Sequence, residues 1–183
     1  MAKNLENVRI YGDEAGGAWV APRGTTGPTG LDEPPAGFVE IGWLSEDGID
    51  ESLDQNSEPF RAWQGAKIVR RKVTSSDTTF KFQALEENLA VHGLKYRGQE
   101  PVVATGVATT TVKDQVASDT RAWVFDMLDG DVHKRYVIPA GDYARTGTIQ
   151  HRNAAMTIHE FEVTPIGDWF EITDNPAIVG SGT

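Results

Sequence analysis

Four histidines, His92, His133, His151 and His159, are the chain's only imidazoles, and none belongs to an H-E-x-x-H pair. His159 and Glu160 are adjacent, and in a strand neighbouring side chains point to opposite faces, so they do not form an acid–base couple there. The glycine-rich run from Gly24 to Gly30 has no lysine and contains Pro28, which lacks the amide proton a phosphate cradle needs. No G-x-S-x-G elbow is present; Gly180-Ser181-Gly182 lies at the chain end. The absence of cysteine removes thiol nucleophiles, disulfides and zinc–thiolate sites together. Asp126, Asp129 and Asp131 invite a calcium reading but lack the EF-hand spacing and its closing glutamate. Five tryptophans suit a sugar-binding floor, or core and interface anchors. No nucleophile, base and acid can be assembled, so we expect no enzyme, no cofactor and no metal.

Charge is the informative signal. With 17 Lys and Arg against 27 Asp and Glu, the net charge is −10. That disfavours a sequence-reading nucleic-acid binder and suits a surface that must not hold DNA. The signs are segregated. Between positions 31 and 60 lie nine acids (Asp32, Glu33, Glu40, Glu46, Asp47, Asp50, Glu51, Asp54, Glu58) and no Lys or Arg. Between 61 and 81 lie six bases (Arg61, Lys67, Arg70, Arg71, Lys72, Lys81) against the single acid Asp77. Either the two runs are neighbouring strands that neutralise each other, or they are complementary faces of different copies in a head-to-tail contact. A phosphate grip at Lys67–Lys72 is opposed by the overall charge. The candidate inter-subunit residues are therefore Glu46, Asp47, Asp50, Glu51, Asp54 and Glu58 against Lys67, Arg70, Arg71 and Lys72, with Trp63 between the runs.

The elements that must position these residues read as mainly β. The chain has 183 residues, enough for a single domain over 1–183 with a core of its own, and no apolar run long enough to cross a membrane. Residues 1–12 contain no apolar stretch of the signal-peptide kind. Its 19 glycines and 9 prolines punctuate short β-branched and aromatic runs. These predict strands near 8–11, 18–21, 38–44, 67–73, 78–84, 102–112, 121–128, 132–138 and 156–164. Asp129-Gly130 predicts a two-residue hairpin turn pairing 121–128 with 131–138. One helix is expected over 84–93, docked by Leu85, Leu89 and His92 and stopped by Gly93. Long loops are expected over 13–37 and 45–60, and a frayed tail over 175–183. Near His159-Glu160 the apolar parity switches, from Met156 and Ile158 to Phe161 and Val163. That predicts a β-bulge or a strand covered on both faces.

Several ordered motifs resemble one family. The first is Trp19-Val20-Ala21-Pro22-Arg23-Gly24-Thr25-Thr26-Gly27-Pro28-Thr29, and the second Gly37-Phe38-Val39-Glu40-Ile41-Gly42-Trp43-Leu44-Ser45-Glu46-Asp47-Gly48-Ile49. Ala62-Trp63-Gln64-Gly65, Thr79-Phe80-Lys81-Phe82-Gln83-Ala84-Leu85-Glu86-Glu87-Asn88 and Phe161-Glu162-Val163-Thr164-Pro165 follow. In order and spacing these are similar to the major tail tube proteins of long, non-contractile-tailed (siphovirus-type) bacteriophages, especially those of actinobacterial hosts. Asp32-Glu33-Pro34-Pro35 departs from the alanine-rich stretch of such proteins. The resemblance implies a β-sandwich or barrel with one flanking helix and long inter-subunit loops. It implies six copies in a ring, strands joined into one barrel around a lumen, and rings stacked into a tube that conducts viral DNA. Partners would be the chain itself, a tape-measure protein in the lumen, a tail terminator and the distal tail or baseplate proteins. The setting would be the virion tail, assembled in the host bacterial cytoplasm, with no membrane. Ring closure would also pair each exposed sheet edge. A tail terminator or head–tail joining ring, and a carbohydrate-binding β-sandwich, remain the alternatives.

Overall fold

The computed structural model describes residues 3–113 and 118–180. Its strands are β1 (Gly17–Pro22), β2 (Val39–Glu40), β3 (Leu44–Arg61), β4 (Ile68–Ala84), β5 (Val102–Ala104), β6 (Val107–Thr109), β7 (Thr120–Asp129), β8 (Val132–Thr146), β9 (His159–Pro165) and β10 (Phe170–Thr173). Two short helices, α1 (Leu89–Lys95) and α2 (Pro176–Val179), complete the regular structure with a 3-10 turn at Leu5–Asn7. The main sheet is antiparallel with order β2-β1-β7-β8-β9-β4-β3, and β10 pairs with β8; β5 and β6 form a separate hairpin. The fold is mainly β with one helix against the core, as the sequence predicts.

Alternation along the strands builds the core. Phe80 and Phe82 of β4, Trp123 and Phe125 of β7, Tyr136 and Tyr143 of β8, and Phe161 and Val163 of β9 are all buried in one cluster. Most of their ring pairs meet at tilted or edge-on angles with centroids 5.3–6.0 Å apart, and Trp123 stacks on Phe125 at 6.2 Å, arrangements that aromatic quadrupoles favour. Val91 and Leu94 of α1 seal one side of this cluster. β7 is buried on both faces from Ala122 to Asp126. The outer face is covered by the Gly- and Pro-rich segment after β1. A Cβ added at Gly27 would come within 2.8 Å of a Val137 methyl. Arg135 of β8, buried beneath the segment, donates to the carbonyls of Gly30 and Asp32 at 2.7 and 2.6 Å. It also forks onto both oxygens of Asp126.

Several sequence expectations need correction. Residues 45–60 are not a loop: they are nearly all of β3. The two strands at 67–73 and 78–84 are one continuous β4. The 38–44 strand breaks at Gly42, whose φ of 95° is open to glycine. Segment 8–11 is not a strand, although the Ile10 amide reaches the Asp129 carboxylate and the Gly12 amide reaches the Leu128 carbonyl. Segment 102–112 is a hairpin turning at Thr105-Gly106, and β10 was not foreseen. The β7–β8 hairpin exists, but Asp129 pairs with Val132, so its turn residues are Gly130 and Asp131. Only Gly130 of the two has positive φ, the II′ pattern. The expected parity switch disappears because β9 starts at His159: His159, Phe161 and Val163 share the buried face, while Met156 lies exposed before the strand. Helix α1 begins after Asn88, whose side chain caps the Val91 amide. It buries Val91 and Leu94 rather than Leu89, which is exposed, and Gly93 lies within it. Of the expected tail, 176–179 form a turn of helix capped by Asn175, and 181–183 lie outside the described residues.

His159 is fully buried, and neither ring nitrogen has a well-formed hydrogen bond. Burial, aided by the nearby Lys95 charge, lowers its pKa below the ordinary 6.5; Glu87 opposes the shift. With the folded-state value lowered, the unfolded chain binds the proton first, so stability is lost as pH falls below about 6.5. The expected slope from this group is at most about 1.4 kcal/mol per pH unit. Denaturant midpoints at pH 5 to 8 should show a shallower acid-side fall in His159→Leu. An unchanged slope would assign the acid sensitivity elsewhere.

Candidate assembly surfaces

β3 and β4 pair with each other from Leu44↔Ala84 to Arg61↔Ile68, but β4 pairs with β9 only over Phe80 to Ala84. Beyond that root the two strands form a ribbon with no other strand beside it among the described residues. At roughly 3.3 Å per residue, Leu53 to Arg61 alone carries it about 26 Å outward. An isolated two-stranded ribbon is marginal in water. This one exposes Leu53, Phe60, Ile68, Val69 and Val73, with Trp63 at its turn 95% exposed. Register shifts after Asn56 and Phe60 mark two bulges. The turn is closed by the Ala62 amide on the Lys67 carbonyl, with Gly65 and Ala66 at positive φ.

The predicted contact residues fall on this ribbon in distinct ways. Asp50 lies opposite Lys81, Asp54 opposite Asp77, Glu58 opposite Lys72, Pro59 opposite Arg71 and Phe60 opposite Arg70. The acidic and basic runs are thus neighbouring strands, as one of the two readings held. They do not neutralise each other, however: among the described residues no ion pair joins β3 to β4, and Lys81 pairs instead with Glu162 of β9 at 3.0 Å. Asp54 facing Asp77 is a like-charge pair that costs stability within one copy. Among the described residues Arg70, Lys67 and Lys72 are in no ion pair, and Arg71 reaches only the Ser57 hydroxyl at 3.5 Å. Glu51 is different. It turns inward and accepts the Tyr136 hydroxyl at 2.8 Å, where burial first and this hydrogen bond second hold the phenol far above its usual 10.0. It fixes the root of the ribbon to the core.

Glu46 and Asp47 lie at the opposite end, on the wall of an open cleft of about 1010 Å³ at the ribbon's root. Glu14, Glu40, Glu86 and the exposed indole of Trp43 share that wall, and among the described residues no Lys, Arg or His does. Glu86 is held by the Trp43 amide at 2.9 Å and by the Asn88 side chain. Sequence reasoning missed Glu14 and Glu86 here, because they come from segments remote in the chain: Glu14 follows residues tied to the Leu128 carbonyl of β7, and Glu86 is brought in by the Trp43 amide. Among the described residues no group of three or more His, Asp or Glu is arranged to hold a metal ion. No helix there is long and apolar enough to cross a membrane.

A family model described as phage tail tube protein matches residues 1–165 of the chain. No curated protein matches it.

Proposed function

Because the chain belongs to the family of phage tail tube proteins, we propose that it is the repeating subunit of a siphovirus-type tail tube from a phage of an actinobacterial host. Six copies form a ring, and rings stack into the conduit through which viral DNA leaves the virion. The observation that carries this reading is the β3–β4 ribbon, which beyond its root has no strand beside it among the described residues and exposes both apolar side chains and charged ones that form no ion pair there. A second copy supplies what it lacks. Ring closure also removes the free edge of β3, the exposed end of the main sheet.

The role is mechanical and electrostatic. A polyanion slides along a wall that does not capture its phosphates, and a subunit of net charge −10 suits such a wall. Assembly takes place in the host bacterial cytoplasm, with a tape-measure protein in the lumen, a terminator at one end and distal tail proteins at the other.

The test is negative-stain electron microscopy of the purified protein across concentration, with light-scattering mass alongside. Six-membered rings and stacked hollow tubes are expected. Single rings that never stack would favour a terminator or joining role. A 20 kDa species at every concentration, with or without a tail-tip complex as initiator, would overturn the reading.

A further inference from the structure

The ribbon and the cleft lie at opposite ends of the same two strands. The cleft is walled by the first residues of β3, from Leu44 to Ile49, and no residue of the ribbon's turn lines it. From Ile49 to Arg61 the paired strands run on for about 40 Å at roughly 3.3 Å per residue. The turn of one copy therefore points away from its own cleft.

The two ends are chemically opposite. The turn end carries Arg61, Lys67, Arg70, Arg71 and Lys72 around the exposed Trp63, with no acidic side chain in an ion pair to any of them among the described residues. At the root end, Glu14, Glu40, Glu46 and Asp47 are exposed, and a tryptophan face stands among them. The cleft lies at the upper end of small-ligand pocket sizes, about 300–1000 Å³, and it is open. Its shape suits a protein turn better than an enclosed small molecule. Trp43 offers a π face to a guanidinium, and the carboxylates offer acceptors to the rest.

We propose that this cleft is the receptor for the ribbon turn of a second copy, with the Arg61–Lys72 turn seated among Glu14, Glu40, Glu46 and Asp47 and an arginine over Trp43. The contact is heterologous: each copy gives its turn and receives another, so the chain of contacts either closes or propagates without limit. The inference rests on the tube reading and adds to it the surface that receives the arm. Because the paired groups are exposed until docking, added salt weakens the contact.

Two reversals test it. In one chain Arg70→Glu and Arg71→Glu reverse the turn; in another Glu40→Lys and Glu46→Lys reverse the cleft. All four residues are exposed, so the thermal midpoint of each monomer should stay at the parent value. Each reversal should raise the concentration needed for assembly by at least about tenfold, and the chain carrying both should recover most of it. The chain has no native cysteine, so Trp63→Cys combined with Glu46→Cys, treated with a short bismaleimide, should give a ladder of covalent multimers. Parent tubes with a harmless cleft reversal, or with no recovery in the double reversal and no ladder, would overturn the inference and leave the tube reading standing. A parent chain that never assembles would remove both.

Discussion

Arg135→Ala is expected to lower the unfolding free energy by about 3–5 kcal/mol, the usual cost of stripping one partner from a buried ion pair. In a chain of this size that corresponds to a fall of roughly 6–20 °C in thermal midpoint. The loss has two parts. Asp126, 5% exposed, would be left with only the poorly aligned His133 ring, 3.2 Å from one carboxylate oxygen. The Gly30 and Asp32 carbonyls would lose the donor that pins the loop over the outer face of β7 and β8. Arg135→Lys keeps the charge but not the planar fork, and should fall between the two. Replacing the pair together, Asp126→Leu with Arg135→Met, should be milder than Arg135→Ala alone, because no charge is stranded. A melt of Arg135→Ala within 2 °C of the parent would show that the loop and Asp126 relax into solvent.

That pair was nearly legible in the sequence. Placing the hairpin turn at Gly130-Asp131 rather than one residue earlier puts Asp126 directly opposite Arg135. Asp129-Gly130 pointed to the wrong centre because an Asp-Gly pair suits a turn with positive φ at both residues, whereas here only Gly130 adopts it. Read with the shifted turn, Asp126 ceases to be a calcium candidate and becomes half of a cross-strand ion pair. The helix failed for a related reason. Seven residues hold two turns, too few to fix the phase of an apolar stripe, and Asn88 as cap excludes Leu85 from it. Strand β9 was legible because its inward face alternates with a less buried one, which writes alternation into the sequence, whereas β7 was legible as a continuous apolar and aromatic run, since it is buried on both faces.

The ribbon was hidden for the opposite reason. Neither of its faces is buried in a single copy, so no alternation marks it, and its acids and polar residues resemble a loop. What the sequence did carry was the charge segregation, and the register converts that into geometry: the two runs face each other across the ribbon without forming ion pairs. A charged run without ion-pair partners among the described residues is a surface open to another molecule, and in the tube proposed above that molecule is another copy.

Excising the ribbon should therefore separate folding from assembly. Joining Leu53 to Thr78 through Asn-Gly removes residues 54–77, which contribute nothing to the core cluster, and retains the pairing of β4 with β9 from Phe80 to Ala84. A two-residue turn of that composition closes the Leu53–Thr78 pair. The stability of the monomer should change by less than about 1 kcal/mol, since the lost surface is exposed and the Asp54–Asp77 repulsion leaves with it. Assembly, in contrast, should be abolished: light scattering should report only a monomer of somewhat under 20.0 kDa at concentrations where the parent forms tubes. Such a loss exceeds anything a single charge reversal can produce, because apolar area, backbone edge and charge are removed together. Tubes of normal length from the excised chain would show that the ribbon is dispensable and that the sheet edges alone hold the rings. An excised chain that does not fold would show that a segment without core contacts nonetheless nucleates β4, a coupling the register at Phe80–Ala84 does not predict.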